Sequence, residues 1–568
     1  MPAAKVVRAA CLALALALLA SACTRPGHAA DGKPLRGGTL HVLSALPAMG
    51  LDTAGFPSLA RPYARTLYGY NLAGSPGQRT VPVPDVADGP ARLSADRRTY
   101  TFRLRAGVRY APPVNREVTA ADFITAIQRL YDKQSPSYGQ QYADLIAGTS
   151  RFAAGKASRI SGLAAPDART LKITLDQPAA DFLSILTLTI FAPVPGEYAG
   201  NYRVGANYDG HVVGSGPYTP TTYDPGRLIV LDRNPNWDPA TDPLRKAWVD
   251  QIQVRLAVDV ASIQRAIERE EADLSLDSHV PEARLTELQA DPERSRRLSV
   301  NTTGNQEYLV LGTNPKAGAI ADVRVRRAVN YAIDKVAYRD AFAGRGAAAG
   351  QLASTILPPG SLGYHPYDLY PTTAGGGDPA KARALLAQAG YPHGLTLRFA
   401  TVGSGRYAAA NKVVRDSLAR AGIDLKVKTY DGLDLWDKSL SLPAKRLEHQ
   451  LGTGGWDQVM PGDNARDTIV PRFDGRRLNP ERNPDNPSEY NNPAVNRLVD
   501  RALAEPDRDR RAAMWAGIDQ QIMRDAPIVP LIWDRYSFYW ASRVHGWVYD
   551  PWANMPDLTA VWLDPPGP

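Results

Sequence analysis

From Gly37 onward two kinds of apolar spacing alternate along the chain. In residues 98–105, Tyr100, Phe102 and Leu104 share one face and Thr101, Arg103 and Arg105 the other, the period of a half-buried strand. Gly37-Gly38-Thr39-Leu40-His41-Val42-Leu43 predicts an earlier strand. Residues 228–231 predict another, ending at Arg233-Asn234-Pro235, and the apolar run 528–533 predicts a buried one. Between them the spacing changes to three and four. Phe123, Ile127 and Leu130 follow Thr119, an N-cap with Asp122 at N3 as a capping-box variant. Val325, Ala328, Val329, Ala332 and Ile333 mark an amphipathic helix. Ile263, Ala266 and Ile267 predict a short helix, Asp378-Pro379 open one that Gly390 closes, and two more follow at 495–503 and 514–522. Residues 473–492, rich in Asn, Pro, Arg and Asp, predict a long polar loop. Strands and helices mix irregularly over the whole length, without a fixed-period repeat, which predicts α/β lobes.

The N-terminus has a different pattern. Lys5 and Arg8, with no acidic residue, precede an apolar run over residues 9–20, too short for a bilayer span and suited to a secretory signal in residues 1–22. Ser21-Ala22 before Cys23 resembles the lipobox of bacterial lipoproteins, with Ala20 where that motif prefers Leu. The resemblance implies that Cys23 is acylated and tethers the chain to a membrane; the other reading is an ordinary secreted protein cut near Ala22 or Ala30. Cys11 lies in the removed segment, so the mature chain keeps one cysteine and forms no internal disulfide. Residues 23–35 then form a flexible linker.

About 545 residues remain, enough for two or three domains. The formal charge of +8 falls to +6 once Lys5 and Arg8 are removed, and the basic residues are scattered, which argues against a nucleic-acid partner. There is no G-x-S-x-G, P-loop or complete G-x-G-x-x-G motif. The eight histidines show no metal-ligand spacing. These features predict a non-enzyme without cofactor or metal site.

Seven motifs in order then resemble family 5 solute-binding proteins of ABC importers, the group of oligopeptide-, dipeptide- and nickel-binding lipoproteins. They are Gly37-Gly38-Thr39-Leu40; Leu67-Tyr68-Gly69; "LSADRRTYTFRLRAGVRY" with "EVTAADF"; "VGSGPY" (213–218) with "DRNPNW" (232–237); "VRVRRAVNYAIDK" (323–335); "DPAKARALLAQAGY" (378–391); and "APIVPLIW" (526–533). The match runs over about residues 36–535. The resemblance implies an α/β, two-lobe periplasmic-binding-protein-like fold (type II, cluster C) with an extra domain inserted in lobe one. Lobe one would take 36–46, 160–256 and 530–568, the extra domain 47–159, and lobe two 257–529. It implies a membrane-anchored monomer on the extracytoplasmic face, closing on a small solute, a peptide first and a metal chelate or oligosaccharide next, and delivering it to ABC permease subunits. A ligand sensor using the same clamp and a secreted hydrolase are the competing classes.

In peptide-binding members the region matching "GTGGWDQVMPGDNARD" (452–467) supplies an Asp that holds the peptide α-ammonium. Here Asp463 matches first and Asp457 second, although "PGDNARD" replaces the family's Asp-Pro; a local cap on Asn464 or Arg466 is the other reading of Asp463. Trp456 is a stacking platform or core, and Arg466 would meet a carboxylate or phosphate. Gly214, Ser215, Gly216 and Tyr218 are expected at the cleft edge. Arg324, Arg326 and Arg327 are expected on a solvated helix face.

Overall fold

The computed structural model describes residues 33–565 except 56, 76, 134–136, 138, 203, 347–348, 457–461, 464 and 552. The expected signal, Cys23 and Asp457 lie outside the described residues.

Three sheets organise the chain. The first has the strand order Leu274–Ser275, Thr39–Leu43, Gln251–Arg255, Leu228–Arg233, Tyr218–Asp224. Thr39–Leu43 is parallel to both of its neighbours, and its Leu40 and Val42 point into a core with Tyr63, Tyr218, Ile229, Leu231 and Ile252. The second sheet has four strands in the order Arg92–Leu93, Thr99–Arg103, Thr170–Thr174, Leu163–Asp167. Tyr100 and Phe102 are buried and Arg103 exposed, so the period-2 pattern sets the buried face. Helix Ala120–Arg129 covers it through Phe123 and Ile127, and the Thr119–Asp122 capping box closes its start, with Thr119 N–H donating to Asp122 Oδ2 at 2.8 Å.

The third sheet runs Gln351–Leu352, Ile528–Tyr539, Leu298–Leu311, Leu451–Trp456, Leu395–Val402, Ile423–Tyr430. Helices Val323–Ala332, Pro379–Gln388, Arg406–Arg420, Pro493–Ala504 and Arg508–Asp525 belong to the same lobe and share its core. Asp378 caps its helix by accepting Lys381 N–H at 2.9 Å, and Gly390 follows at φ +93°, where a side chain would be strained.

The expected lobe boundaries shift at three places. Residues 163–191, expected in lobe one, join the extra domain, because Leu171, Ile173, Phe182 and Phe191 pack with Tyr100 and Phe102 and hairpin 163–174 pairs with Thr99–Arg103. Residues 257–290, expected in lobe two, side with lobe one: Leu274–Ser275 pairs with Thr39–Leu43, and Ile263, Leu285 and Leu288 pack with Leu43. Residues 530–539, expected in lobe one, belong to a strand paired with Leu298–Leu311 of lobe two. After Trp540 the chain returns to lobe one, where Ala541, Val544, Leu558, Val561 and Leu563 enter the core. Arg326 is also corrected: it is buried, donating to the carbonyls of Asp525 (2.9 Å), Ile320 (3.0 Å) and Ala321 (2.7 Å). Its helix face is turned toward backbone oxygens rather than water.

Candidate functional site

The lobes are joined by two long strands, Leu298–Leu311 and Ile528–Tyr539, paired antiparallel. Leu298 and Tyr539, at one end, pack with Leu43, Ile263, Leu285 and Leu288. Leu311 and Ile528, at the other, lie in the lobe-two core. Midway the register breaks: Thr302 faces Arg535 and Gln306 faces Trp533, leaving residues 303–305 opposite Asp534. Such a bulge bends its strand and re-aims side chains. Thr303 secures it, its Oγ1 donating to the Asp534 carbonyl at 3.1 Å and accepting Asn305 N–H at 3.1 Å. This is the hinge position between the lobes.

Polar groups gather at the bulge. Asn305 Nδ2 donates to Tyr536 Oη at 3.1 Å, and Asn554 Nδ2 to Asn305 Oδ1 at 3.4 Å. Glu307 and Asp534, both buried, share Arg406, whose Nη2 lies 3.8 and 3.6 Å from their oxygens. Gly405, at φ +58°, turns the chain into helix Arg406–Arg420 and so presents Arg406 there. The Arg406 side chain is 49% exposed, reachable by a guest; burial opposes its charge, but Asp534 and Glu307 prevail and raise its pKa. Tyr407 Oη donates to Glu307 Oε2 at 3.1 Å. The His279 ring lies tilted against the Tyr536 ring, centroids 4.0 Å apart, and burial, with Arg406 nearby, holds its pKa down at about 4, so it is neutral at pH 7. Amides, phenols and a charged arginine recognise polar groups through hydrogen bonds.

Trp456 ends its strand opposite Gln306, one step from the bulge. It is partly buried, and the guanidinium of Arg472 covers one face at 4.6 Å. At most its other face is open for stacking.

The remaining expected site residues have other partners. Arg466, at the start of helix Ala465–Phe473, reaches out of lobe two to the extra domain: its Nε and Nη2 donate to Asp181 Oδ2 (2.6 Å) and Oδ1 (2.9 Å). Asp463 accepts from Arg511 of its own lobe; burial lifts its pKa against that hydrogen bond, and the Asp181 charge adds to the rise. Asp463 takes this ion pair rather than a cap on Arg466, and Asn464 lies outside the described residues.

Gly214, Ser215, Gly216 and Tyr218 are all buried inside lobe one. A Cβ on Gly214 would overlap the Tyr63 carbonyl oxygen, and one on Gly216 would lie 2.6 Å from that of Pro62. Tyr218 is 0% exposed and donates to the Val249 carbonyl at 3.0 Å. The expected cleft-edge role gives way to packing: the glycines let two backbone segments touch. Gly214 and Ser215 line only a cavity of about 10 Å³. A larger groove of about 750 Å³ lies beyond Leu311, at the end of lobe two away from the hinge, lined by Thr313, Asn314, Glu489 and Asp525.

Glu307, Arg406, Asp534, Tyr536, Asp181 and Arg511 carry no motif and were missed. Two sequence signals lie beside them: the strand 528–533, whose continuation to Tyr539 holds Asp534 and Tyr536, and the 452–467 segment, whose Gly455 faces Glu307.

Two α/β lobes on a pair of crossing strands, with a polar seam at the crossing, define a bilobed clamp for a small guest. The chain belongs to the bacterial extracellular solute-binding proteins of family 5, whose middle-region model matches residues 81–468. It is 26% identical to heme-binding protein A of Haemophilus influenzae over 81% of this chain and 80% of that one. It is 27% identical to di/tripeptide-binding protein 4 of Pseudomonas aeruginosa over 86% of this chain and 88% of that one. Among solved structures, clavulanic acid biosynthesis oligopeptide binding protein 2 superposes with a TM-score of 0.87 at 29% identity, covering 95% of this chain and 98% of that one. The protein is therefore an extracytoplasmic substrate-binding protein. No described helix is long and apolar enough to cross a membrane.

Proposed function

We propose that this protein captures a short peptide between its two lobes and hands it to an ABC permease, tethered meanwhile by acylated Cys23, without chemically altering its cargo. The observation that carries the reading is the hinge: two crossing strands whose bulge gathers Asn305, Tyr536, Glu307 and Arg406 where the two lobes join. Such groups match the amide and terminal charges of a peptide backbone, and water can fill the space around varied side chains. Relatives named for di- and tripeptides and for oligopeptides support the choice of cargo. The binding must favour the closed state over the open one, or closure would not follow.

Native mass spectrometry of the purified protein, followed by calorimetry with di- and tripeptides, tests this. Stoichiometric retention of an intact peptide is the expected result. Retention of a different small molecule with no peptide bound, or turnover of the peptide, overturns it. Cys23→Ala is expected to move the protein from the membrane fraction to the soluble one; continued sedimentation rejects the tether.

A further inference from the structure

Among the described residues, hydrogen bonds away from the hinge seam tie the extra domain to lobe two. Arg466 forms its two-pronged pair with Asp181, the two side chains 13% and 5% exposed. Tyr142 Oη donates to Asp467, the next residue on the same helix. Ala180 N–H donates to the Leu503 carbonyl at 3.0 Å, and Arg97 Nη1 to the Ala504 carbonyl at 3.2 Å. Arg511 and Asp463 stand behind as a second ion pair, and Arg511 Nη1 is further fixed on the Glu505 carbonyl at 2.7 Å.

We propose that the Asp181–Arg466 pair, together with the Tyr142–Asp467 bond, is a cargo-independent latch that holds lobe two against the extra domain and sets the overall affinity. The geometry separates this role from cargo recognition. Both prongs of Arg466 and both oxygens of Asp181 are used within the protein, so the pair offers a guest little. It joins two bodies that the crossing strands leave able to rotate, and every one of its bonds is lost when they part. A charge-assisted, two-pronged contact is strong and geometrically specific. A binding-competent closed state that is only partly populated weakens every ligand by the same fraction. The latch raises that fraction, so Asp181 and Arg466 scale all affinities together, whereas residues at the hinge seam change the ranking of ligands.

The inference rests on the peptide-capture reading, and the test separates the two. Asp181→Asn, Arg466→Met, Tyr142→Phe and the Asp181→Asn/Arg466→Met double variant are compared with the parent. X-ray scattering of the cargo-free protein reads closure directly. Calorimetry with a set of di- and tripeptides reads affinity, and far-UV circular dichroism confirms folding. The expected result is a cargo-free scattering profile shifted to larger radius of gyration in the Asp181 and Arg466 variants. Affinities should fall about tenfold or more, by one common factor across the peptides, and the double variant should match the singles. Unchanged scattering in these variants overturns the latch, as does a loss confined to certain peptides, which would make Arg466 a cargo contact. If no peptide binds the parent, the capture reading fails and scattering alone decides the latch.

Discussion

Single residues show how the same sequence signal divides between packing and recognition. Gly214 and Gly216 sit in a motif that resembles its family closely, yet their function is to lack a side chain where the Pro62–Tyr63 backbone passes. Gly214→Ala should therefore destabilise the protein by about 3 kcal/mol or more, since overpacking against backbone cannot relax through a rotamer. A fall in thermal midpoint with cargo selectivity retained is the expected outcome. Asp463 shows the opposite case. Its type and position suit a cargo amine, yet within the protein it pairs with Arg511. No pattern along the chain announces Arg511, because the two residues come together only when helix Arg508–Asp525 docks beside Asp463.

At the level of elements, periodicity was a good guide to existence and a poor guide to extent. The strand read over 528–533 runs to Tyr539: Asp534 and Arg535 interrupt the apolar run at the hinge, and Phe538 and Tyr539 beyond them are buried again. Helix Arg508–Asp525 shows what holds such elements in place. Its Asp519, fully buried, accepts Tyr367 Oη at 2.6 Å and the N–H groups of Ile356 (3.1 Å) and Leu357 (3.0 Å). Burial outweighs those bonds and pushes its pKa up to about 6. A carboxyl raised in the fold stabilises fully below its unfolded value of 3.8, and that contribution disappears as pH rises through 6. The swing is about 3 kcal/mol. Asp519→Asn should accordingly cost most stability near pH 4 and least near pH 7. Denaturant unfolding of both proteins across this window measures the gap, and a gap that stays constant would contradict the assignment.

For the whole molecule, the decisive feature is that the chain crosses between lobes twice and then returns. Residues after Trp540 complete the lobe-one core around Leu40, Val42 and Ile252. A chain ending at Trp540 should leave lobe one with an open apolar face while lobe two keeps its own core. Increased dye binding and proteolysis concentrated within residues 39–275 are expected, with the 298–539 region protected. The Asp181–Arg466 contact belongs to this scale as well, since it exists only when the two bodies are together.

The sequence by itself determined the α/β character, the start and cap of helix Ala120–Arg129, the helix over Val323–Ala332 and, through motifs in order, the family. These are local or near-local facts: apolar period, capping chemistry and turn residues act over a few positions, and each shows in the string. Tertiary structure alone decided where hairpin 163–174 belongs, which strands span both lobes and which charges pair. Strand partners are chosen by long-range burial, and a carboxylate accepts any suitable donor brought to it. Thus Arg466 and Asp181 are 285 positions apart yet meet, and Asp463 meets Arg511 across 48 positions.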